Sequence, residues 1–175
     1  MYWLVATAQG AIVSWNAGNI LCSFLAARAF LETYAVLHKV RRELFEAVGA
    51  GDLKAIDGLS WKKMMFSTRD KKVLDSRPEF LAPNVCTLID HLGKEFKVAR
   101  KAYDAMSERC HPNSLGTFLM FAEVGEEKVA YSDRHKARQA FFLIFPIVGL
   151  VTAAEPLIAR IDEIIDEIST LECQP

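Results

Sequence analysis

Apolar residues recur every three or four positions through most of this chain, the spacing of one buried helical face. Ile20, Phe24, Ala27, Leu31 and Tyr34 form the first such row, and a long helix is predicted over 13–48. Gly49-Ala-Gly51 ends it, and Asp52 can cap a second helix over roughly 53–66. Between 67 and 83 charged residues and two prolines interrupt the pattern, so a loop or short helical turns are expected. Asn84 can cap the next helix. There Val85, Leu88, Ile89, Leu92, Phe96, Ala99, Tyr103, Met106 and Cys110 make one continuous stripe, closed by Pro112 and Gly116. Residues 117–123 and 128–132 can pair as a β-hairpin around Val124-Gly-Glu-Glu127. Ser132 or Asp133 then starts a last long helix, bent at Pro146 and Pro156. It ends in a seam of Leu157, Ile158, Ile161, Ile164, Ile165, Ile168 and Leu171, which suits a bundle partner or a dimer helix. The expected fold is all-α: a single domain over 1–175, a bundle of four to five helices, with a small hairpin or irregular excursion near 117–132.

Composition narrows the function classes. Apolar residues make up 51% and charged residues 25%, which is globular rather than disordered. With 21 basic and 22 acidic side chains the net charge is −1, so no global field gathers nucleic acid or anionic lipid; binding of either would need a local patch. Four cysteines stand far apart with no metal-ligand spacing. Cys22, Cys86 and Cys110 lie among apolar residues and Cys173 near the end, a pattern that fits a reducing cytoplasm. Residues 1–27 carry no charged side chain. A signal peptide would need a basic start, and a membrane span about 20 mostly apolar residues; Gln9, Gly10, Ser14, Asn16, Gly18, Asn19 and Ser23 interrupt this one. A buried helix or a partner-covered surface is expected instead, with no membrane association. The uncharged run from Ala140 to Ala154 reads as a central core helix.

Candidate chemistry gathers at Tyr103-Asp-Ala-Met-Ser-Glu-Arg-Cys-His-Pro-Asn-Ser-Leu-Gly116, where polar residues sit at the mouth of a helical bundle. Asp104, Ser107 and His111 fall on one side of the helix, the order of a nucleophilic triad, although all three would come from one helix. Glu108-x-x-His111 matches half of a di-iron bundle motif, but no second copy exists, so no metal or other cofactor is implied. His111-Pro112-Asn113 is equally readable as a helix stop in which the imidazole or Asn113 bonds the last carbonyls. Arg28 and Glu32 stand one turn apart on an otherwise nearly uncharged helix. They read as a half-buried ion pair fixing helix register, or as a site where Arg28 holds a phosphate opposite the His111 cluster. Basic groups around Lys94–Lys101, Arg134–Arg138 and Lys62–Lys72 are either solvated helix faces or a path for RNA phosphates.

The segment Leu25-Ala-Ala-Arg28-Ala-Phe-Leu-Glu32, taken with Tyr103-x-x-x-Ser-Glu-x-x-His-Pro-Asn-Ser-x-Gly116, resembles uncharacterised bacterial all-helical proteins related to the HEPN superfamily. That resemblance implies a helical bundle, frequent dimerisation and, in some members, metal-independent RNA cleavage at a paired Arg and His. Catalytic members place the Arg four to six residues before the His; here Arg109 stands two before His111, so Arg28 would have to supply the cation from another helix. The catalytic candidates are therefore Arg28, Glu32, Tyr103, Ser107, Glu108, His111 and Asn113. A homo-oligomer, assembled through the N-terminal segment or the last helix, is expected, with RNA or a second protein as the partner.

Overall fold

The computed structural model describes residues 2–59, 67–112, 121–126, 128–131 and 137–172. The fold is all-α. Among the described residues its helices are α1 (Tyr2–Asn16), α2 (Ile20–Gly49), α3 (Leu53–Gly58), α4 (Lys71–Ser76), α5 (Val85–Glu95), α6 (Val98–Cys110) and α7 (Ala137–Glu172), with a 3-10 turn over Pro78–Phe80. A short antiparallel hairpin pairs β1 (Ala122–Val124) with β2 (Val129–Tyr131), Ala122 opposite Tyr131 and Val124 opposite Val129. The strand starts later than the sequence suggests, since Phe121 is still helical; 117–120 and Ser132 lie outside the described residues.

Helix α2 is the axis around which α1, α5, α6 and α7 pack. Phe24, Ala27, Phe30, Leu31 and Tyr34 are almost wholly buried along it, joined by Leu88, Ile89 and Leu92 of α5, by Ala99, Tyr103 and Met106 of α6, and by Leu150, Leu157 and Ile161 of α7. Each large apolar side chain so enclosed contributes roughly 1.5–3 kcal/mol. A smaller cluster of Val40, Leu44, Ala47, Ile56 and Ile164 closes the far end of α2.

Two long helices of the sequence reading are each broken in two. The expected helix over 13–48 reverses at Ala17-Gly18-Asn19, where Gly18 takes φ +74° and the Asn19 side chain accepts from the Cys22 amide to cap α2. Positive φ at a turn is the conformation glycine adopts at least cost. The reversal folds α1 back on α2, where the Ser23 hydroxyl donates to the Ala11 carbonyl at 2.8 Å. The expected stripe over 85–110 breaks at Phe96, whose ψ of 84° leaves the helix while its carbonyl accepts from the Ala99 amide. Both halves keep their apolar faces on α2, which is why periodicity alone runs straight through the break. Helix α3 spans the start of the element expected over 53–66, and 60–66 lie outside the described residues.

Burial departs from expectation at four places. Helix α1 buries only Leu4 and Ala11, leaving Tyr2 95% and Trp3 70% exposed, with Val5, Ile12 and Val13 also open to solvent. In the C-terminal seam Leu157, Ile161 and Ile164 are buried but Ile165 is 51% exposed, because a 3.6-residue repeat turns consecutive isoleucines onto different faces. Cys22 and Cys86 are exposed rather than enclosed, and Cys110 is half-buried. In the uncharged run of α7, Leu150 and Ala154 are buried while Val148 and Val151 face outward. Helix α2 is long and apolar enough to cross a membrane, yet half of its most apolar window is buried inside the bundle, as befits a core helix.

Candidate functional site

Arg28 points from α2 towards α6. Its Nε donates to Glu32 Oε1 at 2.9 Å, and one Nη donates to the Tyr103 hydroxyl at 3.3 Å. That hydroxyl in turn donates to the same Glu32 oxygen at 3.0 Å. The guanidinium carbon also lies 5.3 Å from the centroid of the Tyr103 ring, within cation–π range. Three side chains on two helices thus close a ring of interactions. Arg28 and Glu32 keep 28% and 32% of their side-chain surface exposed, so the clasp lies at the rim of the core and remains reachable from solvent.

The physics of this arrangement is reciprocal. Burial works against the charge on Arg28, but the bonds to Glu32 and then Tyr103 outweigh it, and the guanidinium holds its proton more firmly than usual. The Tyr103 hydroxyl is pushed above its ordinary range, first by burial and then by the negative charge of Glu32. Burial likewise raises the Cys110 thiol, against a lowering pull from Arg28. The field of Arg28 therefore reaches the end of α6, one residue before His111. Cys110 is held as a thiol rather than a nucleophilic thiolate.

The remaining candidates divide. Ser107 sits one turn beyond Tyr103, its hydroxyl oxygen buried and without a hydrogen-bond partner. His111 is the C-cap of α6, exposed, with extended backbone (φ −81°, ψ 143°) ahead of Pro112. Leaving the helix there takes its ring off the i,i+4 track: the His111 amide still donates to the Ser107 carbonyl at 3.2 Å, but the Ser107 hydroxyl makes no bond to the imidazole. Asp104 is exposed and committed to Arg100, which holds both of its carboxylate oxygens at 3.0 and 2.9 Å and reaches Asp90 as well. The Asp104–Ser107–His111 relay is thus not assembled. Glu108 lies exposed on α6, and Arg109 turns back to the Ala105 carbonyl of its own helix. Asn113 falls outside the described residues, as do Lys62, Lys63 and 132–136 of the basic groups.

One polar contact escaped the sequence reading. His38, buried on α2, meets Glu95 of α5 at 3.0 Å, stacks with Tyr34 and meets the Phe96 ring edge to face. Its signal was present, since position 38 continues the row of Leu31 and Tyr34 by one further turn. No family model matches the chain, and no curated protein or solved structure gives a significant match.

Proposed function

We propose that this chain is a HEPN-like helical-bundle protein directed at RNA, working in the cytoplasm in a defence or toxin–antitoxin setting. The observation that carries the reading is the clasp. Arg28 is fixed at the crossing of α2 and α6, still reachable from solvent, with its field felt at the helix end that bears His111. A guanidinium held by a carboxylate and a phenol is pre-positioned to meet a phosphate oxygen with its remaining N–H groups. The exposed imidazole of His111 can take the proton of a ribose 2′-hydroxyl as its oxygen attacks phosphorus and the 5′-oxygen leaves. Glu32 and Tyr103 act as positioning residues for Arg28, and Ser107 and Glu108 lie along the same helix. The test is incubation of the purified chain with labelled single-stranded RNA, alongside induced expression in a bacterial host. His111→Ala and Arg28→Gln should abolish cleavage and toxicity, and His111→Ala should leave the melting temperature nearly unchanged. A wild-type chain that neither binds nor cuts RNA and harms no host would remove this reading.

A second reading, favoured by a different observation, is a non-catalytic interaction module. Helix α1 bears no charge and leaves Trp3, Val5, Ile12 and Val13 exposed. Beside it an apolar groove of about 320 Å³ runs between α1 and α7, lined by Leu4, Ala8, Phe30, Val151, Ala154 and Ile158 among others. An apolar surface of this kind is what assembly through α1 requires. Light scattering should then give more than the monomer mass, and Val5→Glu with Ile12→Glu should return it to monomer. A wild-type monomer at every concentration would exclude self-assembly.

A further inference from the structure

Thirteen residues beyond Arg28, α2 carries a second basic cluster with a different character. Thirteen residues advance a helix by about 20 Å and turn it by about 220°, so this cluster leaves α2 on another side from the clasp. Arg41 and Arg42 of α2, together with Phe45, face Arg160 of α7 across a cleft of about 280 Å³, and these four are its lining among the described residues. Phe45 is 53% exposed, an unusual state for a phenylalanine beside a cleft, and the Arg160 guanidinium lies over its ring at 5.2 Å. The Nε of Arg41 is shut off from solvent yet meets no acceptor. A buried N–H without a partner is uncommon in native proteins and leaves part of the guanidinium's bonding capacity unused.

The anionic neighbours of these arginines are exposed and lie outside the cleft's lining. Arg42 stands 3.8 Å from Glu46, and Arg160 pairs with Glu163 and, at 3.7 Å, with Glu167. All three glutamates are exposed and none lines the cavity. Pairs of this kind hold little energy and yield readily to a better anion.

We infer that this cleft binds a single nucleotide unit, its phosphate on the guanidinium groups of Arg41 and Arg42 and its base on the stacked Phe45–Arg160 platform. Guanidinium forks match phosphate oxygens in geometry, and both aromatic rings and arginine planes accept a stacked base. The cavity size suits one nucleotide rather than a larger cofactor. The inference does not rest on the reading of the clasp, because it uses no residue of that site.

The experiment is calorimetric titration of the full chain with adenosine monophosphate, with a short oligoadenylate and with inorganic phosphate. Adenosine monophosphate or the oligonucleotide should bind saturably, one per chain. Arg41→Gln should weaken binding at least about tenfold, and Phe45→Ala by about tenfold. Arg77→Gln, which removes the same charge from an exposed position outside the cleft's lining, should leave binding unchanged. Binding of the free nucleotide assigns the cleft to a soluble ligand; binding of the oligonucleotide alone assigns it to RNA. Three results would overturn the inference: no saturation by either nucleotide probe, inorganic phosphate binding as tightly as the nucleotide, or affinity lost in Arg28→Gln instead of Arg41→Gln. Should Arg41→Gln fail to fold, Phe45→Ala decides alone, since its ring is already half in solvent.

Discussion

Two arginines of one helix behave in opposite ways. Arg28 is enclosed by partners, with a carboxylate, a phenol and an aromatic face all engaged, and each of those groups depends on it in return. Arg41 has an Nε that is shut away from water and has nothing to bond. A charge held by partners on two helices fixes their angle and register. A charge with a demand left open marks a place where the folded chain alone does not finish the job. The same helix thus carries an internal strut at its middle and an open receptor towards its end, and the two respond differently to removal.

The largest expected effect is at the strut. Arg28→Met leaves Glu32 at the rim of the core with only the Tyr103 hydroxyl, and Glu32→Leu leaves the guanidinium with only that hydroxyl as acceptor. Either change alone should lower stability by about 1–3 kcal/mol, a figure held below that of a fully buried pair because both groups keep some contact with water. The double variant Arg28→Met/Glu32→Leu should recover most of the loss, because no uncompensated charge remains. Urea denaturation of all three variants measures this. Equal losses in the double and the single variants would mean that the clasp acts through packing rather than charge.

How far these features could be read from the chain follows from the same contrast. The pairing of Arg28 with Glu32 and their approach to Tyr103 were legible, because charges on an apolar helical face must find partners, and Tyr103 was the nearest polar break in another apolar stripe. The Arg41–Arg160 cleft was not legible. Along the sequence those arginines look like members of solvated i,i+4 pairs, and only the packing of α7 on α2 brings them to one cavity. The helix break at Phe96 was hidden for a related reason: the apolar spacing resumes in phase after it, so the periodicity carries no mark of the interruption. The break at Gly18 was marked, since Leu4 and Ala11 fall on the opposite helical face from the row that begins at Ile20. The nucleophilic relay over Asp104, Ser107 and His111 failed on a local detail. Its histidine falls where Pro112 takes the backbone out of the helix, and its aspartate had a stronger claimant in Arg100.

A smaller effect, with a distinctive pH signature, belongs to Tyr103. Tyr103→Phe removes the hydroxyl that accepts from Arg28 and donates to Glu32, and should cost about 1–2 kcal/mol at neutral pH. In the fold the Tyr103 hydroxyl keeps its proton above the ordinary value of 10.0, by burial and by the charge of Glu32. The half-buried Cys110 thiol keeps its own above 9.0. Raised values mean that the folded chain holds protons which the unfolded chain releases. Stability is therefore complete below the unfolded values and is lost as pH rises through about 9 to 10 and on through the folded ones. Tyr103→Phe should decline less steeply above about pH 10 than the wild type. Melting temperatures across the alkaline range, with the phenolate absorbance followed in parallel, would detect this. Identical slopes for the two proteins would place the alkaline loss elsewhere.

The smallest expected effect is the one that separates strut from receptor most sharply. Arg41→Met keeps an unbranched chain of similar length against the side of α2 while removing the Nε that has no acceptor. The native state loses no hydrogen bond at that atom and is relieved of an unmet donor, so stability should change by about 0.5 kcal/mol or less, or rise slightly. Set beside Arg28→Met on the same helix, the pair isolates partnership from charge and chain length. A loss at Arg41→Met as large as at Arg28→Met would show that Arg41 supports the fold as Arg28 does. A neutral result, combined with lost nucleotide binding in Arg41→Gln, would make Arg41 a residue whose partner comes from outside the chain.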